Sequence, residues 1–275
     1  DQVWADAEKA RIGDERFRRE HECEFLIYDE TLISSTHLVD MEASAPVETT
    51  GQVRWYKRPT PGHTYMVSLD PAMGTGGDYA AIQVFELPTF EQVAEWHHNT
   101  TPMNHQVRIL QQINKHIHDT IMDKDSSASP QIFYSMENNS IGEAALLRVM
   151  DIGEENIQGM FLSEPIRKGH RRKFRRGFNT TAKHKIDACT KFKELVENNK
   201  MKINSHILIS ELKDFVASGM SFKAKAGQHD DLVSSCLLMT RMIKTLADFD
   251  PKIFEKWTDR TAELAPMPVY GSFTG

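Results

Sequence analysis

The chain has 275 residues, of which 40% are hydrophobic and 26% charged, the balance of an ordinary folded domain rather than a disordered or fibrous one. Its formal net charge of −6 excludes a globally basic nucleic-acid binder, so any such binding must come from a local patch. No apolar run approaches the roughly 18 residues that a membrane helix needs, and no membrane association is expected.

The start, DQVWADAEKA, is charged from its first residue and has the character of neither a signal peptide nor an initiator sequence. The chain therefore reads as a fragment of something longer. Its three cysteines, Cys23, Cys189 and Cys236, have no CxxC spacing and read as reduced buried thiols of a cytosolic protein. Residues 1–36 follow a helix-then-strand pattern. Residues 39–61 are rich in Pro, Thr and Gly and read as a connector. Residues 1–60 are accordingly expected to be a linker, 61–250 the folded domain and 251–275 a polar, proline-bearing tail.

The organising stretch is 62–87. Tyr65, Val67 and Leu69 alternate with more polar or flexible neighbours, as in a strand. Asp70 ends that strand and Pro71 stops further pairing. Gly74, Gly76 and Gly77 allow a reversal before a second apolar strand over 80–87. A third strand is expected over 92–97 and an amphipathic helix over 104–122, with Val107, Leu110, Ile113 and Ile117 on one face. Residues 131–137 form a continuously apolar run ending in Glu137, as in a central strand. Asn138, Asn139 and Ser140 cap a helix over 141–151, and a further strand is expected over 156–162. The order implies an α/β fold with a mixed central sheet flanked by helices.

Between 165 and 186 lies a basic segment. Arg167, Lys168, Arg171, Arg172, Lys173, Arg175 and Arg176 crowd together with Phe174 and Phe178 interleaved, and Lys183 and Lys185 follow. A nearly acid-free run in an acidic chain points to phosphate backbone, without base-reading architecture. A helix follows with Ile186, Cys189, Phe192, Leu195 and Val196 inward. Met201 to Asn204 is strand-like. Ser205 caps another helix, with Leu208, Leu212, Phe215 and Val216 as its stripe. Residues 220–226 read as a strand or hairpin arm. Asp230 or Asp231 then opens the last helix.

Asp70, Glu137 and the Asp230–Asp231 pair each stand at the edge of a core element. Singly, each also fits a strand-end acid or a helix N-cap. Together they suit phosphodiester hydrolysis, in which two divalent ions about 3.5–4 Å apart stabilise the attacking and leaving oxygens. Hard carboxylate ligands select Mg²⁺ or Mn²⁺ over zinc. His229 and Asp78 are secondary candidates, the first for proton transfer or orienting a ligand, the second for support through water.

The segments SLDPAMGTGGDYAAIQVF, YSMENNSIGEAAL, GFNTTAKHKIDACTKFKELVE, ISELKDFV and HDDLVSSCLL, with IGDERFRREHECEF near the start, resemble the nuclease domain of the large terminase subunit of tailed bacteriophages, the contractile-tailed group above all. The resemblance implies a ribonuclease H/RuvC-like fold, an order the strand reading shares, and metal-dependent, largely sequence-independent cutting of double-stranded viral DNA during packaging. It implies metal ligands at Asp70, Glu137 and the HDD motif, where Asp231 is favoured over Asp230. It also implies an ATPase domain in the same full-length protein, portal and small-terminase-subunit partners, and action in the host cytoplasm at the prohead. The family's phosphate loop, GxxxxGK[ST], is absent from this chain. The rival expectations are a RuvC-like junction resolvase or transposase core, and a non-catalytic DNA-gripping or portal-docking module.

Overall fold

A computed structural model describes residues 2–12, 30–139, 141–164 and 176–249. Helices α1 (Gln2–Ile12) and α2 (Ser35–Asp40) precede strands β1 (Glu48–Thr50), β2 (Val53–Trp55), β3 (Thr64–Asp70), β4 (Ala80–Leu87) and β5 (Glu91–His98). Helix α3 (Met103–Lys124), strand β6 (Gln131–Met136), helix α4 (Gly142–Ile152), a 3₁₀ turn (Glu154–Asn156) and β7 (Met160–Phe161) follow. The chain continues with α5 (Ala182–Glu197), α6 (His206–Asp214), the hairpin β8 (Phe215–Ser218) and β9 (Ser221–Ala224), and α7 (Asp231–Phe249). Among the described residues no helix is long and apolar enough to cross a membrane. Cys23, Ser140, the basic residues Arg167, Lys168, Arg171, Arg172, Lys173 and Arg175, and the tail 251–275 lie outside the described residues.

Seven strands form one mixed sheet in the order β1-β2-β5-β4-β3-β6-β7. β3, β4 and β5 are antiparallel neighbours, whereas β6 runs parallel to β3 and β7 parallel to β6. The stretch expected to be a connector carries β1 and β2, which extend the sheet beyond β5 and bury Trp55. Its Pro and Thr content suits edge strands as well as linkers. Two further expectations are corrected. The strand expected over 156–162 shrinks to two residues because 154–156 coils into a 3₁₀ turn. Met201 to Asn204 makes only an isolated bridge from Lys202 to Glu91 rather than a strand.

The period of two along β3 sorts its side chains between two layers. Tyr65, Val67 and Leu69 enter the core under α3 and α4, with Val107, Leu110, Ile113, Ile117 and Ile121 opposite. Burying each such side chain contributes roughly 1.5–3 kcal/mol. Met66 enters the other core, under α5, α6 and α7. On that face Ser68 is fully buried and meets Ser235 of α7. Ser68 Oγ donates to the Ser235 carbonyl at 2.8 Å, and Ser235 Oγ donates to the Ser68 carbonyl at 3.0 Å. The polar members of the alternation are therefore buried against a helix rather than wetted.

This double bond sets the register of α7 on the sheet. Asp70 lies two residues from Ser68, on the same strand face. Asp231 lies four residues from Ser235, on the same helix face. Both steps span about 6 to 7 Å, so pairing the serines brings the two acids to the same end of the sheet.

Candidate active site

Asp70 ends β3, and the Glu137 N–H donates to the Leu69 carbonyl at 3.1 Å, just beyond β6. The parallel pairing of β3 with β6 thus sets the two acids side by side. Glu137 is close enough to share a hydrogen bond with Asp70. Burial, then the Glu137 charge, then Asp231 and Asp230 push the Asp70 carboxyl well above the usual range. Four carboxylates therefore act on one another at this end of the sheet.

The two HDD aspartates occupy different surroundings. Asp230 Oδ2 accepts the Ala224 N–H of β9 at 3.2 Å and lies 3.9 Å from Lys185 Nζ. Asp231, the first residue of α7, accepts the Tyr79 backbone N–H, but its Oδ2 is buried without a hydrogen-bond partner. His229 Nδ1 is the nearby cation candidate, at 3.5 Å from that oxygen. Burial chiefly raises the Asp231 pKa from 3.8 to about 6, with Asp230 and Asp78 adding to it. Among the described residues no three His, Cys, Asp or Glu side chains converge closely enough to clasp an ion as they lie. The donor set nevertheless suits a hard divalent cation: a contacting acid pair, a third acid with an orphaned oxygen, and mutual repulsion that a cation would relieve.

The glycine-bearing loop from Pro71 to Tyr79 is held rather than free. Gln106 of α3 donates through Nε2 to the Ala72 carbonyl at 2.7 Å and to the Thr101 carbonyl at 2.7 Å. The Gly76 N–H donates to the Asn99 carbonyl at 2.9 Å. Gly74, at φ +72°, has the Thr101 carbonyl oxygen 2.2 Å from where a Cβ would sit, so only glycine fits without displacement. The loop brings Asp78, exposed, within electrostatic reach of Asp231. It also stacks Tyr79 on His97 at 4.1 Å and sets it edge-on to His229 at 4.8 Å.

The basic segment leaves and re-enters the fold beside Glu137. The Glu164 N–H donates to the Gly177 carbonyl at 3.2 Å, closing the two feet of the segment. Phe178 bridges Glu137, and the Asn138 N–H donates to the Phe178 carbonyl at 2.7 Å. Arg241 of α7 binds both feet: it pairs with Glu164 and donates to the Asn179 carbonyl at 3.1 Å and to Thr180 Oγ1 at 3.0 Å. Of the basic candidates within the described residues, Arg176 pairs with Glu154, Lys185 faces Asp230, and Lys183 is exposed on the first turn of α5.

Several residues escaped the reading of the sequence. Arg241 gave no signal there, because nothing in its helix shows that two chain segments meet beneath it. His97 pairs across the sheet with Ala81, which pairs with Asp70, so all three lie in one row on one face. Glu211 had a visible signal. Leu208, Glu211, Leu212 and Phe215 follow the spacing of an inward helix stripe, and a carboxylate occupies one of its places. Phe215 and Val216, expected to continue that helix, instead turn into β8.

Three antiparallel strands continued by parallel ones, with helices on both faces and acids at the strand ends, define a ribonuclease H-like fold. Residues 67–242 match the family described as the terminase RNaseH-like domain, and the chain belongs to that family. Among solved structures, it is similar to the large terminase nuclease from thermophilic phage G20c, with a TM-score of 0.57 and 17% identity over 77% of this chain and 98% of that one. The same nuclease with bound magnesium aligns with a TM-score of 0.56 and 18% identity, over 77% and 97% of the two chains. The human cytomegalovirus terminase nuclease domain, manganese-soaked and inhibitor-bound, aligns with a TM-score of 0.52 and 15% identity, over 79% and 97%. At these identities the likeness is one of fold.

Proposed function

We propose that this chain is the nuclease domain of a DNA-packaging terminase and cuts duplex DNA with divalent-metal assistance and little sequence preference. The observation that carries this reading is the approach of Asp70, Glu137 and Asp231, from three elements, at one end of the sheet, where burial and neighbouring carboxylates raise the Asp70 and Asp231 carboxyls above their ordinary range. Asp70 and Glu137 would hold metal on the sheet side, and Asp231 would complete the set through its orphaned oxygen. Asp230, committed to Ala224 and Lys185, is the poorer ligand and is assigned instead to holding the β8–β9 hairpin. When bound, Mg²⁺ or Mn²⁺ ions there supply Lewis-acid stabilisation of charge on the attacked phosphate.

The chain's own residues do the remainder. The described feet of the basic segment lie beside Glu137, and the charges of Arg167, Lys168, Arg171, Arg172, Lys173 and Arg175 would neutralise phosphates flanking the cut, together with Lys183. Tyr79 and His229 wall the Asp231 side, and the half-exposed His229 would take or return a proton there. The partners in this reading are duplex DNA, an ATPase domain of the same polypeptide, and the portal and small terminase subunit at the prohead in the host cytoplasm.

Plasmid cleavage in Mg²⁺, Mn²⁺ or EDTA tests it, comparing the parent with Asp70→Asn, Asp230→Asn and Asp231→Asn. Metal-dependent cutting that disappears in D70N and D231N but persists in D230N is expected. Binding without cutting by a folded parent, in every metal, would favour a DNA grip and reject the nuclease reading for this chain.

A further inference from the structure

The first turn of α7 carries Asp231 and should be the least constrained part of that helix, because the leading N–H groups of any helix have no acceptor within it. Such amides are ordinarily capped by the residue just before the helix. Here that residue is Asp230, and its carboxylate is turned away to the Ala224 N–H of β9. The amides are taken up from another helix. Glu211 of α6, only 7% exposed, accepts the Val233 N–H through Oε2 at 3.1 Å and also engages the Leu232 N–H. Its other oxygen, Oε1, is buried without a partner, 3.7 Å from the equally unpartnered His97 Nε2.

We propose that Glu211 is a positioning residue for the active site: it caps α7 from α6, so that neither HDD aspartate is consumed in capping its own helix and Asp231 stays directed at Asp70 and Glu137. This role rests on the reading of Asp231 as a metal ligand. The geometry supports it at both ends of the turn. Ser235, one turn on, is bonded to Ser68, and Glu211 holds the two amides between that anchor and Asp231. The start of α6 is fixed in turn, since its N-cap Ser205 donates through Oγ to the buried Glu95 of β5 at 2.7 Å. A rigid path therefore runs from the sheet through α6 to the ligand-bearing turn. Burial, then Asp231 and Asp230, push the Glu211 carboxyl up to about 9, so a neutral acceptor suffices for the cap. Without that acceptor, Asp230 or Asp231 would fall back to cap the helix, in competition with metal.

The test compares Glu211→Gln, which keeps an acceptor oxygen, with Glu211→Met, which keeps volume and removes it, in the full 275-residue chain. Two readouts are used: hydrogen exchange at the Leu232 and Val233 amides, and Mn²⁺ binding by calorimetry without DNA. In E211M those two amides should exchange at least about tenfold faster, with mid-helix amides unchanged, and Mn²⁺ affinity should fall about tenfold, as for loss of a group that orients a ligand. E211Q should match the parent in both. Unchanged exchange or unchanged Mn²⁺ affinity in E211M would overturn the capping role, as would an E211Q as impaired as E211M. A parent that binds no Mn²⁺ would overturn the nuclease reading itself, and that outcome is read from the parent alone.

Discussion

Replacing Asp231 by Asn should make the metal-free protein more stable while ending its cleavage. The folded state raises the Asp231 pKa from 3.8 to about 6. At about 1.4 kcal/mol per pKa unit, ionised Asp231 destabilises the fold by about 3 kcal/mol above pH 6. The side chain is only 15% exposed, so solvent screens little of this. The first-turn position returns about 0.3–1 kcal/mol through the helix dipole, which leaves a net gain of about 2 kcal/mol for the neutral Asn. Asn also keeps an acceptor for the Tyr79 N–H. In a domain of this size 2 kcal/mol corresponds to roughly 4–8 °C in Tm. The sign follows from proton linkage: the folded state binds this proton more tightly, so its contribution is fully present below pH 3.8 and is lost as pH rises through about 6. Urea unfolding in EDTA should show D231N ahead at pH 7.5, with the gap closing towards pH 4. Adding Mg²⁺ should raise the parent and not the variant. A D231N no more stable than the parent at pH 7.5, or a gap independent of pH, would refute the claim that this carboxylate is held against its own repulsion.

His97 titrates in the opposite sense. Burial, then Arg54, His229 and His98, lower its pKa from 6.5 to about 4, so the unfolded chain binds the proton more readily between those values. The stability advantage of the parent over His97→Gln should shrink by up to about 3 kcal/mol between pH 6.5 and 4, and a constant difference in paired urea titrations would contradict a buried neutral imidazole. Gly142→Ala should fail despite the preference of helices for Ala, worth about 1 kcal/mol. An added Cβ would lie 1.8 Å from the Glu137 carbonyl oxygen. A loss of about 1–3 kcal/mol should accompany reduced metal-dependent cleavage as Glu137 is displaced, and a variant with parental Tm and activity would show that the contact yields freely.

How much of this was written in the sequence divides along a physical line. What depends on neighbours within a few residues was legible: the alternation of β3, the apolar run of β6, the stripe of α3, the Ser205 cap and the acids at the ends of elements. Each is dictated by side-chain spacing on one strand or helix. The family resemblance, carried by motifs in order, added the joint meaning of those acids. The choices that depend on distant partners were not legible. β1 and β2 join the sheet only because β5 offers an open edge. Asp230 and Asp231, adjacent in the chain, differ because one faces β9 and Lys185 while the other accepts the Tyr79 N–H and keeps a buried, unpartnered oxygen. Glu211 stood visibly on an apolar stripe, yet its role requires amides 22 residues further along. The register that sets Asp231 before Asp70 rests on Ser68 and Ser235, 167 residues apart. Spacing along one element determines which residues share a face, but only the packing of that face against another decides which of them meet.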